Sequence, residues 1–300
     1  MYRVHFGRFV SNGLNDTYSI TTNTGTYYVR IYKINWRSES DIRYELELLL
    51  HLHRFGIPVS IPLPRRDGEW LTGLDAPEGK RYMALFTEAA GKEKRDVEAS
   101  VAYGAAIAEL HRAAGFFAPR SGRFELDLHH LLDEPLQQLL PFLSHRPEDR
   151  RFVLDAADKL KRRVASLQDE GLDWGVCHGD LHGSNVHLTG DGELTHFDFD
   201  CCGMGWRSYD LAVFWWDRVQ SAELDSFNNK QWNTFLNAYL SSRTLNRQDL
   251  EAIPAFVAIR HIWLLGLHTG NSAVWGAWQD DSYFDRKLKF LRAWMEAHNL

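Results

Sequence analysis

Cysteine is scarce in this 300-residue chain: Cys177, Cys201 and Cys202 are the whole set. An odd number, two of them adjacent, with no CxxC pair and no zinc-finger spacing, excludes a disulfide framework and predicts three thiols in a reducing compartment. Long apolar runs are missing as well. Leu211 to Trp216 and Ile262 to Leu267 are among the longest, whereas a membrane-spanning helix needs ~18 or more such residues, so no span is expected. The opening Met1-Tyr2-Arg3-Val4-His5-Phe6-Gly7 has no uninterrupted apolar stretch and no small-residue cleavage site, which argues against a secretory signal and for the cytoplasm. Basic runs are absent too: 34 Lys and Arg are outweighed by 40 Asp and Glu, for a net charge of −6. Nothing there would neutralise a phosphate backbone or an anionic surface, so neither nucleic acid nor a membrane is an expected partner. Neither glycine-rich fingerprint, G-x-G-x-x-G or G-x-x-x-x-G-K-[ST], marks a phosphate-binding turn.

What is present is an ordinary globular composition, 44% hydrophobic and 25% charged, long enough for two lobes. The first ninety residues alternate short apolar stretches with turn chemistry. Phe6 to Val10, Thr17 to Thr22 and Thr26 to Tyr32 read as strands joined by the hairpin signals Ser11-Asn12-Gly13 and Asn23-Thr24-Gly25. Ser38-Glu39-Ser40-Asp41 then fits a capping box, Ile42, Leu46 and Leu49 follow helical spacing, and Gly56 with Pro58 supplies the stop. Arg81 to Phe86 is another strand. Beyond Gly91 the patterns turn helical, with Val97 to Ala114, Phe152 to Leu167, Gln231 to Leu240, Leu250 to Leu267 and Leu288 to His298 as the main stretches. The expected fold is therefore α+β: residues 1–90 a small antiparallel sheet crossed by one helix, residues 91–300 a larger, mainly helical lobe.

The chemistry concentrates in one cluster. His178-Gly179-Asp180-Leu181-His182-Gly183-Ser184-Asn185 sets an Asp and an Asn five residues apart, and Asp198 follows thirteen residues later in Phe197-Asp198-Phe199-Asp200. Phosphoryl transfer from ATP needs a carboxylate to orient an attacking hydroxyl and accept its proton, and oxygen ligands that hold Mg²⁺ against the phosphates. A loop of the form H-x-D-x-x-x-x-N followed by an Asp at a strand end supplies both. Asp and Asn are also favoured turn residues, but their joint spacing argues for more. Gly179 to Gly183 also matches the G-D-x-H-G piece of two-metal phosphoesterases; the downstream Gly-Asn-His block of those enzymes is absent.

These strings, together with Asp210-Leu211-Ala212, resemble the aminoglycoside phosphotransferase and choline kinase-like family of the protein-kinase-like fold, and the resemblance runs in order along essentially the whole chain. It implies that Asp180 is the catalytic base, that Asn185 and Asp198 hold Mg²⁺, and that Asp210 braces the catalytic loop. The implied activity is transfer of the γ-phosphoryl group of ATP to a hydroxyl of a small molecule such as an aminoglycoside, a choline-like amine or a homoserine-like metabolite. The alternatives are a Ser/Thr protein kinase similar to the bacterial stress-response kinases and a nucleotide-binding pseudokinase.

In such kinases a strand cation paired to a helix Glu holds the α- and β-phosphates. Tyr28-Val29-Arg30-Ile31-Tyr32-Lys33 offers two cations on opposite faces, and the family pattern aligns Arg30 with the usual Lys. Arg keeps the charge but is bulkier and differently hydrated. Glu45 lies on the buried stripe of the first helix and is the expected partner, with Glu47 off that stripe as a solvated charge. The turn with Asn12 and Gly13 lies where a phosphate-covering loop belongs, and Phe86-Thr87-Glu88-Ala89 is the implied hinge, with Thr87 and Ala89 offering main-chain groups to adenine. His111 and His178 read as packing histidines. On the acceptor side, His182 and Asp200 flank the key carboxylates. Trp275, Trp278, Asp280 and Asp281 combine ring faces and charges suited to a cationic or polyhydroxyl ligand; an exposed acidic loop is the other reading of that stretch.

Overall fold

A computed structural model of the chain describes residues 4–220 and 230–300; Met1-Tyr2-Arg3, read above for a leader, lies outside them. Val4–Asn12 (β1), Asn15–Thr22 (β2) and Gly25–Tyr32 (β3) form an antiparallel meander. Its second turn is closed by Thr22, whose hydroxyl donates to the Gly25 carbonyl at 3.0 Å. Glu39–Arg54 (α1) starts on the expected capping box, Ser38 accepting from the Asp41 amide while the Asp41 carboxylate accepts from that of Ser38. It ends at Phe55 and Gly56, where φ of +77° favours glycine. Pro62–Leu63 (β4), Thr72–Ala76 (β5) and Gly79–Thr87 (β6) complete a six-stranded sheet of order β1-β2-β3-β6-β4, with β5 also on β6.

Val97–Ala114 (α2) follows, with the bounds read from the sequence, then Glu125–Leu126 (β7). A π-helical turn, His129–Asp133, runs into Glu134–Leu139 (α3) and a 3₁₀ turn, Leu140–Leu143. This stretch escapes a periodicity reading, because Pro135 and Pro141 punctuate it and three helical pitches succeed one another. Pro147–Asp169 (α4), Trp174–Cys177 (β8), Val186–Leu188 (β9) and Leu194–His196 (β10) come next. Gly203–Trp206 (β11), Arg207–Val219 (α5), Lys230–Ser242 (α6), Arg247–Gly270 (α7), Ser272–Trp275 (α8) and Asp281–Ala297 (α9) complete the order.

The chain forms two compact units. The first takes the residues up to Lys94 and adds Arg112–Arg123 and Ser184–Cys201; the second holds the rest. In the first, the β9–β10 hairpin is tied in by bridges from Val59 to His196 and from Lys92 to Leu188. Gly91, at φ +93°, lies so close to the Leu188 carbonyl that a Cβ would stand 2.6 Å away. The second unit is built around α7, on which α3, α4, α5 and α9 pack. By length and composition α7 would suffice to cross a bilayer, contrary to the sequence expectation, but 72% of its apolar window is buried inside the protein. Gly266 permits the contact with α3, since a Cβ there would stand 2.4 Å from Pro135 Cα. In a small sheet, β11 runs antiparallel to β8 and parallel to β7. All three cysteines are buried and unbridged.

One buried histidine makes this unit acid-sensitive. His261 on α7 accepts from the Trp216 indole N–H through Nδ1 at 3.1 Å and meets the Lys287 carbonyl through Nε2 at 2.9 Å. A second ring proton would therefore oppose the indole N–H. Burial, then the charge of Lys287, push the His261 pKa down to about 3. With the folded pKa below the unfolded ~6.5, this group's stabilisation is complete above pH 6.5 and shrinks as pH falls toward 3. Between pH 7 and 5 the loss is about 2 kcal/mol, at ~1.4 kcal/mol per unit below 6.5. Urea midpoints at the two pH values should show it in the wild type, and His261→Gln should reduce the difference by about that amount, leaving the share of other histidines whose pKa burial lowers, His111 and His268 among them.

Candidate functional site

Within the first unit a cavity of about 320 Å³ is lined by Val10, Ser11, Tyr28, Arg30, Leu49, Phe86, Thr87, Ala89 and Asp198 among others. Of the two strand cations, Arg30 faces it. Its Nη1 donates to Glu45 Oε1 and its Nη2 to Asp198 Oδ1, both at 2.8 Å, with the guanidinium 5.2 Å from the Phe86 ring centre. Glu45 is 1% exposed and also accepts from the Tyr32 hydroxyl at 3.0 Å. Burial raises its pKa, and Arg30 is the chief influence working the other way. Burial disfavours the Arg30 charge, but Asp198 and then Glu45 more than offset it, so its pKa stands well above the usual value. Lys33 is turned to the β1–β2 turn, where its ammonium bonds Asn12 Oδ1 and, at 2.8 Å, the Gly13 carbonyl.

Asn185 and Asp198 stand at the two feet of the β9–β10 hairpin, which the Phe197 N–H closes on the Asn185 carbonyl at 3.0 Å. Asp198 adopts φ +63°, a left-handed conformation that Asp tolerates better than most residues. Among the described residues no group of three or more His, Cys, Asp or Glu is gathered to hold a metal. Asp198 lines the cavity, whereas Asn185 is buried and is not among the lining residues; an amide oxygen and a carboxylate are the ligand types that suit an ion such as Mg²⁺, which keeps several waters and shares phosphate oxygens.

The Asp180 loop belongs to the second unit, and α5 holds it. Asp210 accepts from the His178 and Gly179 amides, each at 2.7 Å. Asp217, two turns further along α5, accepts from the Gly183 amide at 3.2 Å and pairs with Arg218 at 2.6 Å. Behind Asp210, His111 places Nε2 3.0 Å from the carboxylate and Nδ1 2.9 Å from the Tyr239 hydroxyl. Burial lowers the His111 pKa, so the ring is neutral, donating to Asp210 and accepting from Tyr239. Asp180 itself has Oδ2 3.3 Å from His182 Nε2, while Oδ1 pairs with Arg260. Burial alone would raise the Asp180 pKa, but His182 and then Arg260 pull it well below the ordinary carboxylate value. His182 is raised in turn, Asp180 more than offsetting its burial.

Several expectations need correction. Asp200, read as an acceptor candidate, is 3% exposed and saturated within the first unit: Asn15 Nδ2, Trp36 Nε1 and Arg37 Nε donate to it at 2.9, 2.6 and 3.2 Å. It is structural, tying the strand and loop residues 15, 36 and 37 to the segment after β10. Asn12 and Gly13 are not among the cavity-lining residues, and the Gly13 N–H is turned onto the Asn15 carbonyl at 3.2 Å. Thr87 lines the cavity, but its N–H donates to the Ile61 carbonyl at 2.9 Å and its carbonyl accepts from Ser60 Oγ at 2.5 Å. The Ala89 carbonyl faces His187 Nδ1 at 2.7 Å. Glu47 is no free surface charge: it accepts from the Arg120 amide at 2.8 Å and the Ser121 hydroxyl at 3.1 Å. The stretch read as an acidic loop is helical from Asp281, and Asp280 caps that helix by accepting from the Tyr283 amide at 2.8 Å. Asp281 pairs with His145 at 2.8 Å and Arg146 at 3.0 Å. Trp275 and Trp278 gather around His268, at 6.2 and 5.1 Å between ring centres, beside Tyr283.

Sequence reasoning passed over Arg260 and Asp217. For Arg260 a signal existed: a lone guanidinium inside the apolar stretch from Ala255 to Leu265 demands an anion, because such charges are rarely buried unless paired.

A model described as the phosphotransferase enzyme family matches residues 6–245. An uncharacterized protein of Deinococcus radiodurans is 42% identical over 289 residues, spanning 95% of this chain and 84% of that protein. Among solved structures, a microcompartment-associated aminopropanol kinase superposes with a TM-score of 0.80 at 22% identity, covering 99% of this chain and 91% of that one. An amicoumacin kinase in complex with AMP-PNP, Ca²⁺ and Ami does so with a TM-score of 0.76 at 22% identity, covering 98% and 88%. The fold is accordingly the α+β, two-lobed, protein-kinase-like one.

Proposed function

This chain belongs to the phosphotransferase enzyme family, and on that premise we propose that it moves the γ-phosphoryl group of ATP, with Mg²⁺, onto a hydroxyl of a small cytoplasmic metabolite or antibiotic. The observation that carries the reading is Arg30, which bridges Glu45 and Asp198 on the wall of the first unit's cavity. A guanidinium so held offers donors to the α- and β-phosphates, and Tyr28, Leu49 and Phe86 offer apolar surface to a purine. Asn185 and Asp198 would hold Mg²⁺, which when bound offsets charge on the phosphates. Asp180 would accept the hydrogen bond of the acceptor hydroxyl and then its proton, as the oxygen bonds to Pγ and ADP departs. His182 beside it would meet an acceptor or phosphate oxygen.

The acceptor we propose is a hydroxylated amine. Homoserine kinases and an aminopropanol kinase carry a hydroxylated amine in their names, and the cluster of His268, Trp275, Trp278 and Tyr283 would suit an ammonium group. The test is Mg²⁺-dependent ADP release on adding homoserine, 1-amino-2-propanol, choline, amicoumacin or aminoglycosides, with the product checked by mass. At least one amino alcohol should stimulate release and gain one phosphoryl group. Failure of every hydroxylated amine, with stimulation by neutral or anionic alcohols, removes the cationic acceptor. Phosphorylation of protein hydroxyls alone would favour the protein-kinase alternative.

A further inference from the structure

We propose that Arg260, buried halfway along α7, is the residue that orients the Asp180 carboxylate; the proposal rests on the reading of Asp180 as the base. Arg260 is 3% exposed, and its guanidinium carbon lies 4.4 Å from the Trp263 ring centre and 5.1 Å from that of Trp216. A planar, delocalised cation stacks in such an aromatic slot and still presents its fork of N–H donors to a carboxylate. The slot is rigid, because the Trp216 indole N–H is tied to His261 one residue along α7. From there Nη2 reaches Asp180 Oδ1, while His182 addresses the other oxygen at 3.3 Å. A guanidinium on a long packed helix and an imidazole in the loop thus address one oxygen each and fix the rotation of the carboxylate.

That rotation is what the reaction requires. Little covalent work falls to the protein in phosphoryl transfer, so positioning of the hydroxyl is the larger part of the base's contribution. A carboxylate on a loop, without Arg260, would swing toward His182 and lose its aim, and a misplacement of about 1 Å costs ~10²-fold in rate. Arg260 touches neither the acceptor nor a phosphate in this scheme and acts through Asp180, as a positioning residue.

The test uses the full chain with Mg²⁺ and ATP and water as the acceptor, read as ADP release, so no identified substrate is needed. Arg260→Gln should lower kcat by ~10²-fold while leaving the nucleotide KM within about 2-fold, the split expected when only transition-state alignment is lost. Arg260→Ala opens the slot between the two indoles and, by breaking a buried pair, should lower the thermal midpoint, but added guanidinium should restore its turnover by ~10-fold or more. A purely structural arginine would change the midpoint without the fall in kcat at unchanged nucleotide KM expected of Arg260→Gln. If Arg260→Ala fails to fold, the Gln variant decides. Should Arg260→Gln keep wild-type kcat while Asp180→Asn loses it, the positioning role is wrong and the base assignment stands. Should Asp180→Asn itself keep wild-type kcat, the base assignment has failed first.

Discussion

Asp180→Asn is expected to lower turnover by at least ~10²-fold, the lower range for a general acid–base contribution, while nucleotide KM stays near the wild-type value. The change is nearly isosteric, so the Asp210 contacts to the His178 and Gly179 amides should persist and the thermal midpoint should move little. A second readout is available. The pKa of His182 is raised because Asp180 lies beside it, and with a neutral amide there its imidazole should titrate at lower pH by NMR. Wild-type turnover in the variant would remove Asp180 as the base. Asp198→Ala should differ in kind, by weakening Mg²⁺-dependent nucleotide binding and leaving Arg30 to Glu45 alone.

Arg30→Ala should raise the nucleotide KM and also destabilise the fold, because it strips the chief counter-charge from a carboxylate that is 1% exposed. Breaking one side of a buried pair costs about 3–5 kcal/mol. Glu45→Ala should cost a similar amount, and the double variant much less than the sum, since the two changes remove one unit. Arg30→Lys is expected to keep much of the activity, one ammonium still reaching either Glu45 or the phosphates. Lys33→Ala should affect only the Asn12–Gly13 turn that its ammonium closes. A crippled Lys33→Ala beside a healthy Arg30→Ala would show that the roles of the two cations have been exchanged.

What could be read from the chain ahead of the structure divides along physical lines. The β1–β3 hairpins, the capping box at Ser38 and Asp41, and α2 from Val97 to Ala114 are encoded locally, in turn residues and periodicity. Asp180, Asn185 and Asp198 stand out in the sequence by their spacing, and the structure sets Asp198 on the first unit's cavity wall and Asp180 in the loop held by α5. β5 and β11 were not legible, because Thr72-Gly73-Leu74-Asp75-Ala76 and Gly203-Met204-Gly205-Trp206 are poor in strand formers and owe their form to pairing with β6 and β8. The fate of Asp200 was equally hidden: its donors, Asn15, Trp36 and Arg37, lie more than 160 residues earlier, and no local pattern announces them. Asp280 reads in sequence as one more acidic residue and in structure as a helix cap.

The two α5 carboxylates, seven residues apart, set a fixed ruler of about 10.5 Å along the helix axis. Asp210 holds the loop at His178 and Gly179, and Asp217 holds it at Gly183. Opening the loop alone would strip the fully buried Asp210 carboxylate of two amide donors, a costly loss on a helix whose Leu211, Ala212, Val213 and Phe214 lie in the core. Those three amides should exchange with deuterium only at the rate of the most protected helical segments, as members of one cooperative block. On heating or in denaturant, catalytic competence and the second unit's fold should then disappear in a single transition, with no folded but inactive species between them.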